Sequence, residues 1–274
     1  MRENEVWETK PRFFVQFFAI VVVFVLAKRR ILYKIKLGLK TMRITILHDE
    51  KEIGARVAEI FVRLLNEKPN AVLGFATGSS PLPIYAELVK ACRSGRISFR
   101  EATSFNLDEY LACPDKKQTY RYFMDENLFS QIDIRESFTY FPSPKHPESY
   151  DEAIEKAGGV DLQLLGIGRD GHIGFNEPGA AFDSKTHIVT LTPSTLEANA
   201  RFFDDDPKKV PTKAVSMGLG TILKAKHIVL IADDPSKKEA ITKLMSHQED
   251  ISSPATVLNR HSNVDVFLSE SVLR

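Results

Sequence analysis

The chain has little of what staples small secreted domains or builds metal centres. Its 274 residues hold two cysteines, Cys92 and Cys113, which form no C-x-x-C pair and no disulfide framework. That usage implies a reducing, cytoplasmic setting. No cysteine or histidine group has zinc spacing, so no metal is expected. Net charge is only +1, without the basic excess of a nucleic-acid binder. Neither internal repeats nor low-complexity linkers occur after Met42. No apolar run reaches the ~20 residues that cross a bilayer as a helix.

The longest such run, residues 13–27, is broken by Gln16 and bordered at once by Lys28, Arg29 and Arg30. Residues 1–41 carry nine basic and three acidic side chains, so the rest of the chain is net acidic. Three readings of this segment stay open. It is a marginal membrane anchor, whose basic flank would keep the remainder of the chain in the cytoplasm. It is an interfacial attachment. Or it is an extension upstream of a natural start at Met42, where M-R-I-T-I-L reads like a first strand. No small-residue cleavage site borders the run, so a signal peptide fits poorly. In every case residues 42–274 form the working domain, and membrane contact is expected only if residues 13–27 are an anchor.

What is present is an ordinary globular balance, 43% apolar and 27% charged. From Met42 onward short β-rich runs alternate with longer helical patterns. Residues 43–47, 71–76, 103–107, 160–167, 186–191, 214–217, 227–232 and 264–269 read as strands. Residues 50–66 repeat apolar side chains at helical spacing (Ile53, Val57, Ile60, Phe61, Leu64). Helices are also expected over 82–93 and 235–245. This alternation predicts a single α/β domain, an open and mostly parallel sheet with helices on both faces. In such sheets ligands bind beyond the C-terminal strand ends.

Four segments lie at those ends. Residues 74–81, G-F-A-T-G-S-S-P, run from a strand through a hydroxyl-rich turn into a helix, a place suited to a phosphate dianion. The plain alternative is a capped helix with Ser80 as N-cap. Residues 105–110, F-N-L-D-E-Y, set Asp108 and Glu109 at a strand end, where a carboxylate serves as general base or merely meets solvent. Residues 166–178 gather four glycines with Asp170, His172 and Glu177. A histidine flanked by carboxylates gains a fixed tautomer and a tuned pKa. The glycine spacing resembles a dinucleotide fingerprint, but Pro178 and the Asp-Gly-His insertion spoil the helix that a nicotinamide cofactor needs. No cofactor is expected. Arg201, Lys237 and Lys238 are further phosphate candidates, or simple surface cations.

In this order the motifs resemble the glucosamine-6-phosphate deaminase family across essentially all of residues 42–274. They include G-F-A-T-G-S-S-P, F-N-L-D-E-Y, G-x-G-x-D-G-H-I-G-F-N-E-P, S-T-L-E-A-N-A-R-F-F and the closing S-P-A-T-V-L-N-R-H. A related lactonase acting on 6-phosphogluconolactone shares the G-x-G-x-D-G-H core. It has Asp-Glu-Arg in place of Asp108-Glu109-Tyr110 and lacks F-N-E-P. The resemblance implies glucosamine 6-phosphate as substrate and Asp108 as the base of the enolisation. It implies His172 as the ring-opening group, completed by Asp170 and Glu177. Thr77, Gly78, Ser79, Ser80 and Arg201 match the phosphate site, with a lysine at Lys237 in preference to Lys238. Hexameric relatives activated by N-acetylglucosamine 6-phosphate use Ser, Ser, Arg and Lys where this chain has Ala180, Ala181, His187 and Val189. The resemblance therefore implies a non-allosteric monomer or small homo-oligomer.

Overall fold

The computed structural model describes residues 21–27, 30–37 and 40–274, with side chains from Met42 onward. Among the described residues twelve strands are formed: β1 (Val21–Ala27), β2 (Arg30–Leu37), β3 (Lys40–Leu47), β4 (Val72–Phe75), β5 (Thr103–Asn106), β6 (Asp108–Tyr110), β7 (Thr139–Tyr140), β8 (Leu162–Leu165), β9 (His187–Thr190), β10 (Lys213–Ser216), β11 (Ile228–Ala232) and β12 (Asn263–Ser269). Nine of them make one sheet in the order β1-β2-β3-β12-β11-β8-β4-β5-β7. From β3 to β7 every neighbouring pair is parallel, whereas β1 and β2 add to the β3 edge as an antiparallel hairpin. The apolar run of residues 13–27 thus supplies a strand from Val21 to Ala27, and its residues 13–20 lie outside the described residues.

The central strands alternate between two apolar layers. In β11, Ile228, Leu230 and Ala232 face one cluster while Val229 and Ile231 face the other, all at most 1% exposed. Burial on both faces explains their unbroken apolar sequence. One layer is covered by α1 (Glu50–Glu67), α2 (Leu82–Arg93) and α3 (Tyr120–Asn127). The other is covered by α4 (Glu148–Lys156) and, later in the chain, by residues 219–222 and 238–245. Helix α1 starts where the Asp49 carboxylate accepts the N–H groups of Lys51 and Glu52 at 3.0 and 2.9 Å. It packs Ile53, Val57 and Phe61 inward at the expected spacing.

Two expected strands join a different sheet. Residues 186–191 contain β9 and residues 214–217 overlap β10, and these two strands form with β6 a separate antiparallel sheet in the order β6-β10-β9. Their length and apolar content resemble those of the central strands. Yet β10 is buried only from Ala214 and β9 buries Val189 alone, because both pack on a small cluster of Tyr110, Phe175, Phe203 and Val210. No helix among the described residues is long and apolar enough to cross a membrane.

Candidate active site

Beyond the C-terminal ends of β4, β5, β8 and β11 lies a cavity of about 700 Å³. Thr77, Gly78, Ser79 and Ser80, with Asp108, Asp170, His172, Arg201 and Lys237, all line it. Glu177 does not, and stands behind His172.

After β4 the chain turns at Gly78, whose φ of +108° favours a residue without Cβ. Ser80 is not the N-cap of α2. Pro81 holds that place and offers no side-chain bond. The Ser80 hydroxyl instead donates to Asp233 Oδ1 at 2.6 Å, because the end of β11 brings a carboxylate within reach. Arg201 comes just after α5 (Pro193–Asn199) and leans over the same loop. Its guanidinium stacks on Phe202, 4.7 Å from the ring centre, and Nη2 lies 3.4 Å from Ser79 Oγ.

The expected helix over 235–245 opens as a 3-10 turn, Pro235–Lys237, because the Asp234 carboxylate accepts the Ser236 N–H at 2.8 Å. Beyond α6 (Leu219–Ile222), α7 proper is Lys238–Met245. This separates the two candidate lysines. Lys237 faces the cavity, whereas Lys238 donates to the carbonyl of Arg274 at 2.7 Å. Burial pushes the Lys237 pKa down; Asp233 and Asp234 oppose that, and the charges of Arg201 and Arg169 add to it.

One residue, Leu107, separates β5 from β6. Asp108 there pairs in register with Ser216 of β10. Strand alternation then sends adjacent carboxylates to opposite sides. Glu109 turns away and accepts the N–H groups of Tyr110, Tyr120 and Arg121 at 2.8, 2.9 and 2.9 Å, which ties it to the start of α3. Asp108 turns into the cavity wall, 5% exposed, with no hydrogen bond or ion pair among the described residues. Burial pushes its pKa well above the ordinary carboxylate value, and the Glu109 charge adds to the rise.

His172 Nδ1 lies 2.7 Å from Asp170 Oδ1 and 3.8 Å from Glu177 Oε2. Asp170 also accepts the His172 N–H at 3.1 Å. Burial raises the Asp170 pKa, but the bonds and charge of His172 outweigh it and leave the carboxyl below its usual range. Glu177 is held from behind by the N–H and hydroxyl of Thr192, each at 3.3 Å. The imidazole lies against Gly168, where an added Cβ would collide with the ring. Ligand atoms of Asp170, His172 and Glu177 approach within 4.8 Å of one another, so this trio could share a cation among the described residues.

Four further cavity residues escaped sequence reasoning. Tyr110 receives hydrogen bonds from Asn199 Nδ2 at 2.9 Å and from the Tyr120 hydroxyl at 3.3 Å. Tyr110 and Asn199 stood inside recognisable motifs, but Tyr120 carries no local signal. Arg169 occupies the free position of G-x-G-x-D-G-H and also lines the cavity.

Comparison with known proteins agrees with this geometry. The family described as glucosamine-6-phosphate isomerases/6-phosphogluconolactonase matches residues 49–267. A glucosamine-6-phosphate deaminase of Malacoplasma penetrans is 49% identical over 227 residues, covering 79% of this chain and 93% of its own. One from Thermoanaerobacter sp. (strain X514) is 45% identical over 236 residues, covering 84% and 93%. A solved monomeric glucosamine-6-phosphate deaminase superposes with a TM-score of 0.81 at 38% identity, covering 84% of this chain and 99% of that one. The 6-phosphogluconolactonase of Thermotoga maritima, at 20% identity and a TM-score of 0.65 over 83% and 99%, shares the fold. The extent of these matches shows that the chain belongs to the glucosamine-6-phosphate isomerase/6-phosphogluconolactonase family.

Proposed function

We propose that the chain converts glucosamine 6-phosphate and water to fructose 6-phosphate and ammonia, reversibly. The observation that carries this is the Asp108 carboxyl, buried and unpartnered on the wall of a cavity whose other wall holds the Asp170–His172 pair. Lactone hydrolysis needs no base above two adjacent sugar carbons; aldose–ketose chemistry does. Relatives at 42% identity or more are deaminases, which favours the same reading.

Thr77, Gly78, Ser79, Ser80, Arg201 and Lys237 hold the phosphate by hydroxyls, backbone N–H groups and charge. His172, oriented by Asp170 and backed by Glu177, moves a proton between the anomeric hydroxyl and the ring oxygen, which opens the pyranose. Asp108 then removes the C2 proton and returns it at C1. Its raised pKa keeps proton return favourable near neutral pH. The 1,2-enaminol becomes an imine at C2, and water hydrolyses that imine to the ketone and ammonia. No redox change occurs.

We place the enzyme in the cytoplasm as a monomer with hyperbolic kinetics. Its free cysteines, its likeness to a monomeric deaminase, and Ala180, Ala181, His187 and Val189 in place of activator ligands support this.

The test measures ammonia and fructose 6-phosphate together from glucosamine 6-phosphate, beside Asp108→Asn. Equal yields, lost in the variant, are expected. Hydrolysis of 6-phosphogluconolactone instead, or no turnover of either compound, overturns the reading.

A further inference from the structure

The phosphate end of the cavity is less positive than its two recognised cations suggest. Arg201 and Lys237 face it, but so do the carboxylates of Asp233 and Asp234. Asp233 is engaged by Ser80 and Asp234 caps the turn that carries Lys237, so both are fixed in place. Two cations stand against two fixed carboxylates there, and Lys117 and Glu50, which also line the cavity, offset each other. Arg201 and Lys237 can each donate to a phosphate, but the neighbouring carboxylates offset the attraction that their charge offers a dianion.

A further cation faces the same space. Arg169 lines the cavity from the loop after β8, and its guanidinium has no hydrogen bond or ion pair among the described residues. Strands β8 and β11 are parallel neighbours, so the loop that carries Arg169 adjoins the one that carries Asp233, Asp234 and Lys237, and both Lys237 and Asp234 feel its charge. Arginine presents a planar fork that matches phosphate oxygens two at a time.

We propose that Arg169 is a further, cationic phosphate ligand of this cavity, beside Arg201 and Lys237, and supplies the net positive charge that selects a phosphate dianion. The inference rests on the sugar-phosphate reading above and adds a residue to it. Arg169 also directly precedes Asp170, which lies 2.7 Å from His172 Nδ1. One short loop therefore carries both Arg169 and a member of the ring-opening pair.

The experiment uses the full chain and Arg169→Gln, with Arg169→Lys as the conservative variant. Inorganic phosphate is the first probe, titrated calorimetrically; glucosamine 6-phosphate turnover is the second. In Arg169→Gln the phosphate Kd and the substrate KM are each expected to rise about tenfold, with the larger part of the loss in KM and not in kcat. The dependence of KM on ionic strength should flatten, and Arg169→Lys should recover part of the affinity. Phosphate affinity and KM unchanged in Arg169→Gln would overturn the proposal. So would a fall in kcat alone, which would assign Arg169 to the orientation of Asp170. If the wild type binds phosphate in an Arg169-dependent way but does not turn over glucosamine 6-phosphate, the ligand assignment stands and the proposed activity fails. If the wild type binds no phosphate, the ligand assignment fails, whatever the turnover.

Discussion

The two ends of the parallel sheet treat buried carboxylates in opposite ways. At the start of the strands Asp161 accepts Lys68 Nζ, Lys226 Nζ and the Val72 N–H at 2.7, 2.7 and 2.8 Å. Asp265 there holds Arg43 at 2.5 and 2.8 Å and His227 at 2.7 Å. Burial opposes ionisation at both, but their partners outweigh it and both pKa values are lowered. At the finish of the strands Asp108 is as buried as Asp161 and more so than Asp265, yet has no partner among the described residues, so its pKa is raised. One end uses charge to hold the fold; the other keeps a buried carboxyl without a partner, as the proposed chemistry requires. A residue optimised for stability is satisfied, whereas a base must be left wanting a proton.

The sharpest way to break this contrast is to remove each carboxylate in turn. Asp108→Asn should reduce turnover by about a thousandfold or more, the scale of a lost general base. Its folded-state pKa is raised, so any stability it confers is present below the unfolded value and is lost as pH rises through the folded one. At neutral pH the charged form costs stability, and the amide should leave the melting temperature equal or higher. A variant both inactive and clearly less stable would show that Asp108 is structural. Asp161→Ala should do the reverse. Leaving the Val72 N–H and two lysines unpartnered should cost about 2–3 kcal/mol, discounted for the lysines' exposure, with kcat/KM within about twofold. Thermal unfolding with parallel turnover assays separates the two outcomes.

The same contrast predicts two different acid limits. Stability from Asp161 and Asp265 is present above the unfolded carboxylate value and is lost as pH falls through their lowered folded values. The proposed role of Asp108 as base needs it ionised, so activity should already be lost on acidification at a pH above the ordinary carboxylate range. An interval in which the protein is folded but inactive should therefore appear when circular dichroism and kcat/KM are tracked over the same pH series. Coincident losses would remove the distinction. The smallest effect is expected at Thr192, which donates to Glu177 and caps α5 by accepting the Thr195 N–H. Thr192→Val should lower kcat by about three- to tenfold and destabilise by about 1 kcal/mol.

Much of the finish of the sheet was legible because its chemistry is written in short contiguous segments. Residues 74–81 and 166–178 announce their turns through glycine, and Asp170, His172 and Glu177 lie close enough in sequence to be read together. The small sheet was not legible. It joins residues 108–110, 187–190 and 213–216, and alternation within a strand records which face is buried but not which partner it meets. For the same reason strand pattern alone did not separate Asp108 from Glu109, although the family resemblance singled out Asp108; one lines the cavity and the other accepts three backbone N–H groups. The start of the sheet was invisible in a different way, since Asp161 draws its partners from residues 68 and 72 and from residue 226, on two segments far from it in sequence.

The single residue between β5 and β6 has a consequence for how such an enzyme can change over generations. Leu107 is all that separates the main sheet from the small one, and backbone pairing anchors Asp108 on both sides of it. Inserting or deleting one residue there would reverse the side-chain alternation and exchange Asp108 with its neighbour, so the proposed base cannot drift. The segment from Leu111 to Thr119 has no such anchor at its tip, yet Lys117, Gln118 and Thr119 reach the same cavity. New substrate preferences can be drafted in that segment while the proton-transfer chemistry stays where the two sheets have pinned it.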